Sequence, residues 1–252
     1  MTTEAIDPRR IEELHLLCTE PREQLVYDGW LVRRAPNDIK RARSVNTFAA
    51  STLPLADKID HCERLYADAG LPSLFRITPW SPSTLDGELA ARGYTILDHT
   101  LQMATAIRHT QVLSPRGVAF KFLPLQEWLP LASQLRSQAP LARDAEARRL
   151  EYSSLALCFL IAQAAHEPIA CGLVARDGRF AAPADIFVAE SWRNRGLGPA
   201  LTGALLELAH DEGAEIGWLN VLADNAPAIR AYNKLGFQTL YEYWYRVKLV
   251  SG

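Results

Sequence analysis

Two arginines and two glycines fall together at Arg193-Asn194-Arg195-Gly196-Leu197-Gly198. A short apolar run, Ile186-Phe187-Val188, ends just before them, and Leu197, Leu201, Leu205 and Leu208 follow at helical spacing. A strand that delivers a basic, glycine-containing turn into a helix N-terminus is a trap for an anion. Small residues let the backbone come close, its N–H groups point outward, and the helix dipole favours negative charge. Further along, Asn225 caps a second helix with Pro227 in its first turn, and Tyr232 lies near that helix's end, before the stop at Gly236.

These residues need a scaffold of alternating strands and helices. Asp177-Gly178 signals a hairpin leading into a strand over Phe180 to Val188. Upstream strands are expected over Val118 to Leu123, Leu155 to Ala164 and Ile169 to Arg176, with helices over Gln126 to Gln138 and Arg143 to Ser153. Downstream come a strand over Ile216 to Leu222 and an aromatic strand from Phe237 to Leu249. The first half opens with Asp7-Pro8 as a helix cap and first-turn proline. Gln24 to Arg34 reads as one strand, Pro36-Asn37-Asp38 as a turn, and Arg41 to Phe48 as the return strand. The basic residues Arg33, Arg34, Lys40, Arg41 and Arg43 cluster at that hairpin, as a solvated turn or as a contact for an acidic group. Leu55 to Ala69 is an amphipathic helix stopped by Gly70, Leu74 to Ile77 a strand, Ser83 to Arg92 a helix, and Tyr94 to Ala106 a long strand region.

The polar stretch His109 to Arg116 marks a junction and divides the chain into residues 1–112 and 113–252. Ala91-Arg92-Gly93-Tyr94-Thr95-Ile96-Leu97 echoes Lys234-Leu235-Gly236-Phe237-Gln238-Thr239-Leu240. The two halves read as copies of one α/β plan, and only the second carries an equivalent of Arg193 to Gly198.

Composition narrows the classes. With 252 residues, 48% hydrophobic, 22% charged and a formal net charge of -2, the chain reads as a soluble globular protein rather than a nucleic-acid binder. No apolar run reaches the roughly 18 residues of a membrane helix. The four cysteines form no CxxC pair and suit a reducing cytoplasm, and the six histidines show no metal-ligand spacing.

Arg193-Asn194-Arg195-Gly196-Leu197-Gly198 resembles the Q/R-x-x-G-x-G/A signature of the GNAT superfamily of acyl-CoA N-acyltransferases. Asn225-Ala226-Pro227-Ala228 followed by Tyr232-Asn233-Lys234-Leu235-Gly236-Phe237 resembles that family's second block. The resemblance covers about Val118 to Leu249, and the first half looks like the degenerate N-terminal domain of tandem GNAT proteins. It implies an α/β fold with a mixed sheet (α+β in its segregation of elements) in two GNAT-like halves, and acetyl-CoA as cosubstrate with no metal. The backbone of Arg193, Asn194, Arg195, Gly196, Leu197 and Gly198 would hold the pyrophosphate. Phe187 and Val188 would meet the pantetheine, Asn220 and Asn225 would add amide contacts, and an N–H near Val188 would polarise the thioester carbonyl. Tyr232 would be the general acid.

The base is left open between Asp185, Glu151, Glu190 and a water chain, with Asp185 the nearest acid. A cysteine relay through Cys158 or Cys171 finds no neighbouring histidine. The expected partner is a small-molecule or peptide amine, with no nucleic acid and no membrane. Trp30, Arg43, Asn46, Trp80 and Tyr152 are expected on the acceptor side. A non-catalytic acyl-CoA sensor is the alternative. It would keep Arg193 to Gly198 and have no need of Tyr232.

Overall fold

The computed structural model describes residues 6–19, 21–35, 39–108 and 115–249. In chain order the first elements are α1 (Pro8–Leu17), β1 (Glu23–Tyr27), β2 (Trp30–Arg34), β3 (Val45–Thr47), α2 (Leu55–Asp68), β4 (Ser73–Ile77), α3 (Leu85–Ala91) and β5 (Thr95–Ala106). They are followed by β6 (Ala119–Leu123), α4 (Leu125–Leu135), α5 (Pro140–Glu151), β7 (Ala156–Ala164), β8 (Glu167–Asp177) and β9 (Phe180–Val188). The last are α6 (Leu197–Asp211), β10 (Ile216–Leu222), α7 (Ala226–Lys234) and β11 (Gln238–Lys248). The expected turn at Pro36-Asn37-Asp38 and the core of the expected junction, residues 109–114, lie outside the described residues.

The chain groups into two compact units that do not follow the sequence in two blocks. One holds residues 1–18, 103–219 and 226–238, and the other residues 19–102, 220–225 and 239–252. β11, from the far end of the chain, pairs antiparallel with β4.

In the first unit the strand order is β6-β7-β8-β9-β10. The first four strands pair antiparallel and β10 joins β9 in parallel. The continuous apolar runs of β7 and β8 are explained by burial on both faces. Leu160, Ala162, Ala170 and Val174 pack with Leu197, Leu201 and Leu205 of α6. Phe159, Ile161, Cys171 and Leu173 pack with Trp128 and Ala132 of α4 and Leu150 of α5. The Trp128 indole is fixed by its Nε1–H donating to the Leu160 carbonyl at 3.0 Å.

In the second unit the order is β1-β2-β3-β4-β11-β5, with β3 and β4 parallel. Trp30, Val45, Phe75, Ile77, Ile59, Tyr66 and Leu89 form its core. The expected single strand from Gln24 to Arg34 is instead a hairpin, with Tyr27 paired to Trp30. Asp28 and Gly29 turn it with φ of 42° and 80°, as a two-residue hairpin loop needs. The Asp28 carboxylate accepts from the Thr52 amide at 3.0 Å and the Leu53 amide at 2.9 Å, which holds it well below the usual carboxylate range. The expected return strand from Arg41 is also shorter. Lys40–Arg43 is a 3-10 turn and only Val45–Thr47 pairs. The basic cluster is largely engaged within this unit: Arg33 donates to Gln24 and to the Thr19 carbonyl, Arg34 pairs with Glu23, and Lys40 pairs with Asp98. Trp30 is fully buried beneath the Lys58 ammonium, 4.1 Å from its ring, so it is a core residue and not an acceptor contact.

The faint sequence repeat is a repeat of structure. Gly93 and Gly236 have φ of 84° and 86°. In each copy the following residue donates five residues back, Tyr94 to Leu89 at 3.0 Å and Phe237 to Tyr232 at 3.1 Å. This is a left-handed glycine helix stop feeding a strand. The match sets Leu89, fully buried, at the position that Tyr232 holds in the other copy.

Candidate active site

The site begins where two parallel strands part. β9 and β10 pair only at Phe180 with Ile216 and Ala181 with Gly217, and both strands then run on. On its other side β9 stays paired to β8 almost to its end, with one irregularity. Ala170 faces Val188 and Cys171 faces Phe187, but Leu173 faces Ala184, so Asp185 and Ile186 share the single opposing Gly172. That is a β-bulge, and Asp185 adopts φ of 54° within it. A Cβ at Gly172 would lie 2.6 Å from Ile186 Cδ1, so that side-chain end would have to move.

The bulge decides where the end of β9 points. The Ala189 N–H donates to the Ile169 carbonyl across the ladder at 2.9 Å. Backbone direction alternates along an antiparallel strand. The Val188 N–H and C=O therefore face away from β8, to the side on which β10 has parted. The Val188 carbonyl accepts from Arg193 Nε at 3.3 Å. Arg193 thus ties the strand end to the turn after it.

That turn is built to expose amides. Glu190–Trp192 forms one 3-10 turn, Asn194 and Gly196 take φ of 62° and 75°, and α6 begins at Leu197. Ala200 closes onto the Gly196 carbonyl at 3.1 Å. The amides of Gly196, Leu197 and Gly198 precede that bond and have no intrahelical partner by position. Pro199, between them and Ala200, has no N–H to leave unsatisfied. No acidic side chain occupies the first turn of α6. Gly196 needs its glycine for the left-handed conformation. Gly198 does not: a Cβ there would make only an ordinary contact, 3.9 Å from Val188 Cγ2. The same distance puts the helix N-terminus beside the Val188 side chain. The Arg195 guanidinium lies 4.9 Å from the centre of the Trp192 ring and is exposed. That stacking holds a cation at the rim of the turn.

Val188 and Arg193 to Gly198 therefore form one neighbourhood, while Asp185 and Phe187 precede them on β9, with Phe187 packed toward α4. Tyr232 belongs to the same unit, on α7, and its ring meets that of Phe237 edge-on, at 5.9 Å and 62°. Its carbonyl accepts from Leu235 and Phe237 at 3.0 and 3.1 Å, which fixes the last helical turn. Burial pushes its phenol above the ordinary value. Asn220, half-buried on β10, and Asn225, exposed just before α7, belong to the other unit. The Asn225 amide donates to the Leu222 carbonyl at 3.0 Å, which makes the turn into α7.

Several residues of this neighbourhood carry no signal in the sequence. The Asp185 carboxylate is engaged by Arg149 of α5 at 2.8 Å. Arg136, at the end of α4, reaches Glu146 of α5 at 2.8 Å and the Asp185 carbonyl at 3.4 Å. Only the i,i+3 spacing of Glu146 and Arg149 and the spacing of Trp192 and Arg195 offered any local hint. The contacts of Arg136 cross from a helix end to strands far along the chain.

No helix is long and apolar enough to cross a membrane among the described residues. Residues 125–237 match the model of the acetyltransferase (GNAT) family. The chain is 30% identical over 246 residues to an uncharacterized N-acetyltransferase of Bacillus subtilis, YobR, covering 96% of this chain and 99% of that one. A solved GCN5-related N-acetyltransferase from Kribbella flavida is similar with a TM-score of 0.74 at 18% identity, over 98% of this chain and 97% of that chain. A tandem GNAT protein from the clavulanic acid biosynthesis pathway is similar with a TM-score of 0.63 at 16% identity, over 78% of this chain and 70% of that one. These two structural likenesses bear on the fold alone.

Proposed function

The chain belongs to the GNAT family of acetyltransferases, and on that premise we propose that it moves an acetyl group from acetyl-CoA to a primary amine. The observation that carries this reading is the parting of β9 and β10 after Ala181 and Gly217, with the Val188 N–H facing the gap. A gap between parallel strands leaves backbone donors and acceptors unsatisfied by the sheet, and an extended amide-bearing chain such as pantetheine can satisfy them.

In this reading the amides of Gly196, Leu197 and Gly198 receive the pyrophosphate, favoured by the positive end of α6. Arg195 adds charge at the rim, and Arg193, already donating to Val188, fixes the turn. Phe187 and Val188 line the pantetheine side. The Val188 N–H polarises the thioester carbonyl. The amine nitrogen attacks that carbon, the carbon–sulfur bond breaks, and Tyr232 protonates the departing thiolate. A phenol pushed up by burial stays protonated throughout the neutral range, as an acid must. Asp185 is the proposed base, and Arg149 must release its carboxylate before it can take a proton from the acceptor ammonium. The four free cysteines suit a reducing compartment, and we place the protein in the cytoplasm.

Calorimetry with acetyl-CoA, followed by a thiol-release screen over amino acids, polyamines, aminoglycosides and peptide amines, tests the proposal. Saturable binding with release on one amine class supports it. Binding without turnover on any amine points to an acyl-CoA sensor, and no binding removes the reading.

A further inference from the structure

A bulge with a non-glycine residue at positive φ is strained and persists only where its surroundings hold it. At Asp185 the surroundings are a closed ring of charges. Arg136 Nη1 donates to Glu146 Oε1 at 2.8 Å, and Gln138 Nε2 donates to Glu146 Oε2 at 2.8 Å. Arg149 Nη2 lies 3.6 Å from Glu146 Oε1 and 2.8 Å from Asp185 Oδ2. Arg136 Nη2 returns to the bulge, 3.4 Å from the Asp185 carbonyl and 3.5 Å from Cys171 Sγ. Two cations balance two carboxylates. The Arg136–Glu146 pair is the sheltered part, with side chains 17% and 8% exposed.

The geometry is that of a staple. Cys171 is the strand partner of Phe187, one residue before the Gly172 that faces the bulge. Arg136 therefore grips β8 and β9 on the two sides of the irregularity while anchoring to α5. The guanidinium carbon stands 5.2 Å from the Trp128 ring centre, and Trp128 is itself pinned to Leu160. A planar guanidinium can serve an acid, a sulfur and a carbonyl at once, which an ammonium cannot do in the same geometry.

We propose that Arg136 is a positioning residue: it holds the β9 bulge in the form that turns the Val188 N–H into the gap, and through Glu146 it ties that form to α5. The proposal deepens the acetyl-transfer reading and rests on it for the use made of Val188. The clamp itself does not depend on that reading.

The test compares wild type, Arg136→Gln and Arg136→Lys by the backbone amide spectrum and amide exchange of Phe187 and Val188, and by kcat, KM and acetyl-CoA affinity. Arg136→Gln should shift the Val188 amide and speed its exchange. It should lower kcat about 100-fold, the scale of a one-ångström misplacement, while acetyl-CoA affinity changes by less than about threefold. Arg136→Lys should fall between the two. A merely structural arginine would lower the melting temperature and leave kcat of the folded enzyme unchanged, which would overturn the proposal. So would an unmoved Val188 amide in folded Arg136→Gln. If that variant does not fold, Arg136→Lys decides: wild-type behaviour in both readouts overturns the proposal. If wild type releases no thiol with any amine, the acetyl-transfer reading fails, and the amide spectra still decide on the clamp.

Discussion

Tyr232 carries the sharpest residue-level expectation. Its position is fixed by the helix stop at Gly236, and burial raises its pKa without any partner charge. Tyr232→Phe keeps the ring and its edge contact with Phe237, so it should lower kcat by about 10²- to 10⁴-fold and leave acetyl-CoA affinity nearly unchanged. Equal turnover in the two enzymes would remove the acid role. The other copy of the repeat has Leu89 at this position, which has no proton to give. Gly196 makes a different prediction. Its φ of 75° is left-handed, so Gly196→Ala should cost about 1–2 kcal/mol in stability. It should also weaken acetyl-CoA binding by reorienting the amides. Denaturant unfolding and calorimetry read the two effects separately, and an alanine variant with wild-type values in both would mean that the turn is not the binding element.

At the level of elements the bulge in β9 matters most, and Gly172 allows it. Gly172→Ala would place a methyl 2.6 Å from Ile186 Cδ1 and 3.2 Å from Leu205 Cδ1, so it should destabilise by about 1–3 kcal/mol. Because the strain falls on the bulge, kcat should fall as well. A loss of stability with kcat intact would mean that the bulge does not set the reactive geometry. The sequence showed much of this frame. β9 and β10 were legible to the residue, and α6 nearly so, because apolar periodicity and the Asp177-Gly178 turn are local signals. The glycine-rich turn was legible for the same reason. The bulge was not, because it is a mismatch of register between β9 and β8, and Ala184-Asp185-Ile186 reads like any strand. The Asp28-Gly29 turn carried the same dipeptide signal that was used at Asp177-Gly178, but the alternating apolar residues on both sides of it read as one strand. The ring around Arg136 was illegible, since its partners lie on α5, β8 and β9.

For the whole molecule, each compact unit gathers strands from distant parts of the chain. Each unit combines antiparallel strands with one parallel pair, β9 with β10 in the first and β3 with β4 in the second, and β11 joins the second unit from the far end of the chain. Its attachment is partly ionic. Asp86 of α3 accepts from Trp244 Nε1, Arg246 Nε and Arg246 Nη2, each at 2.8 Å. The Arg246 hydrogen bonds hold the Asp86 carboxyl below its ordinary 3.8. A depressed carboxylate contributes stability above its unfolded value and loses it as pH falls through the folded value. Asp86→Asn should therefore cost about 2 kcal/mol at neutral pH, and the deficit relative to wild type should shrink below about pH 4. A deficit independent of pH would mean that the carboxylate charge is not what secures β11. The account as a whole stands on where acetyl-CoA sits. Titrating it into labelled protein while following backbone amides tests that most directly. The amides of Val188, Gly196, Leu197 and Gly198 should shift together and saturate at one equivalent per chain. Saturable binding that leaves those four amides unmoved, or no binding at all, would contradict it.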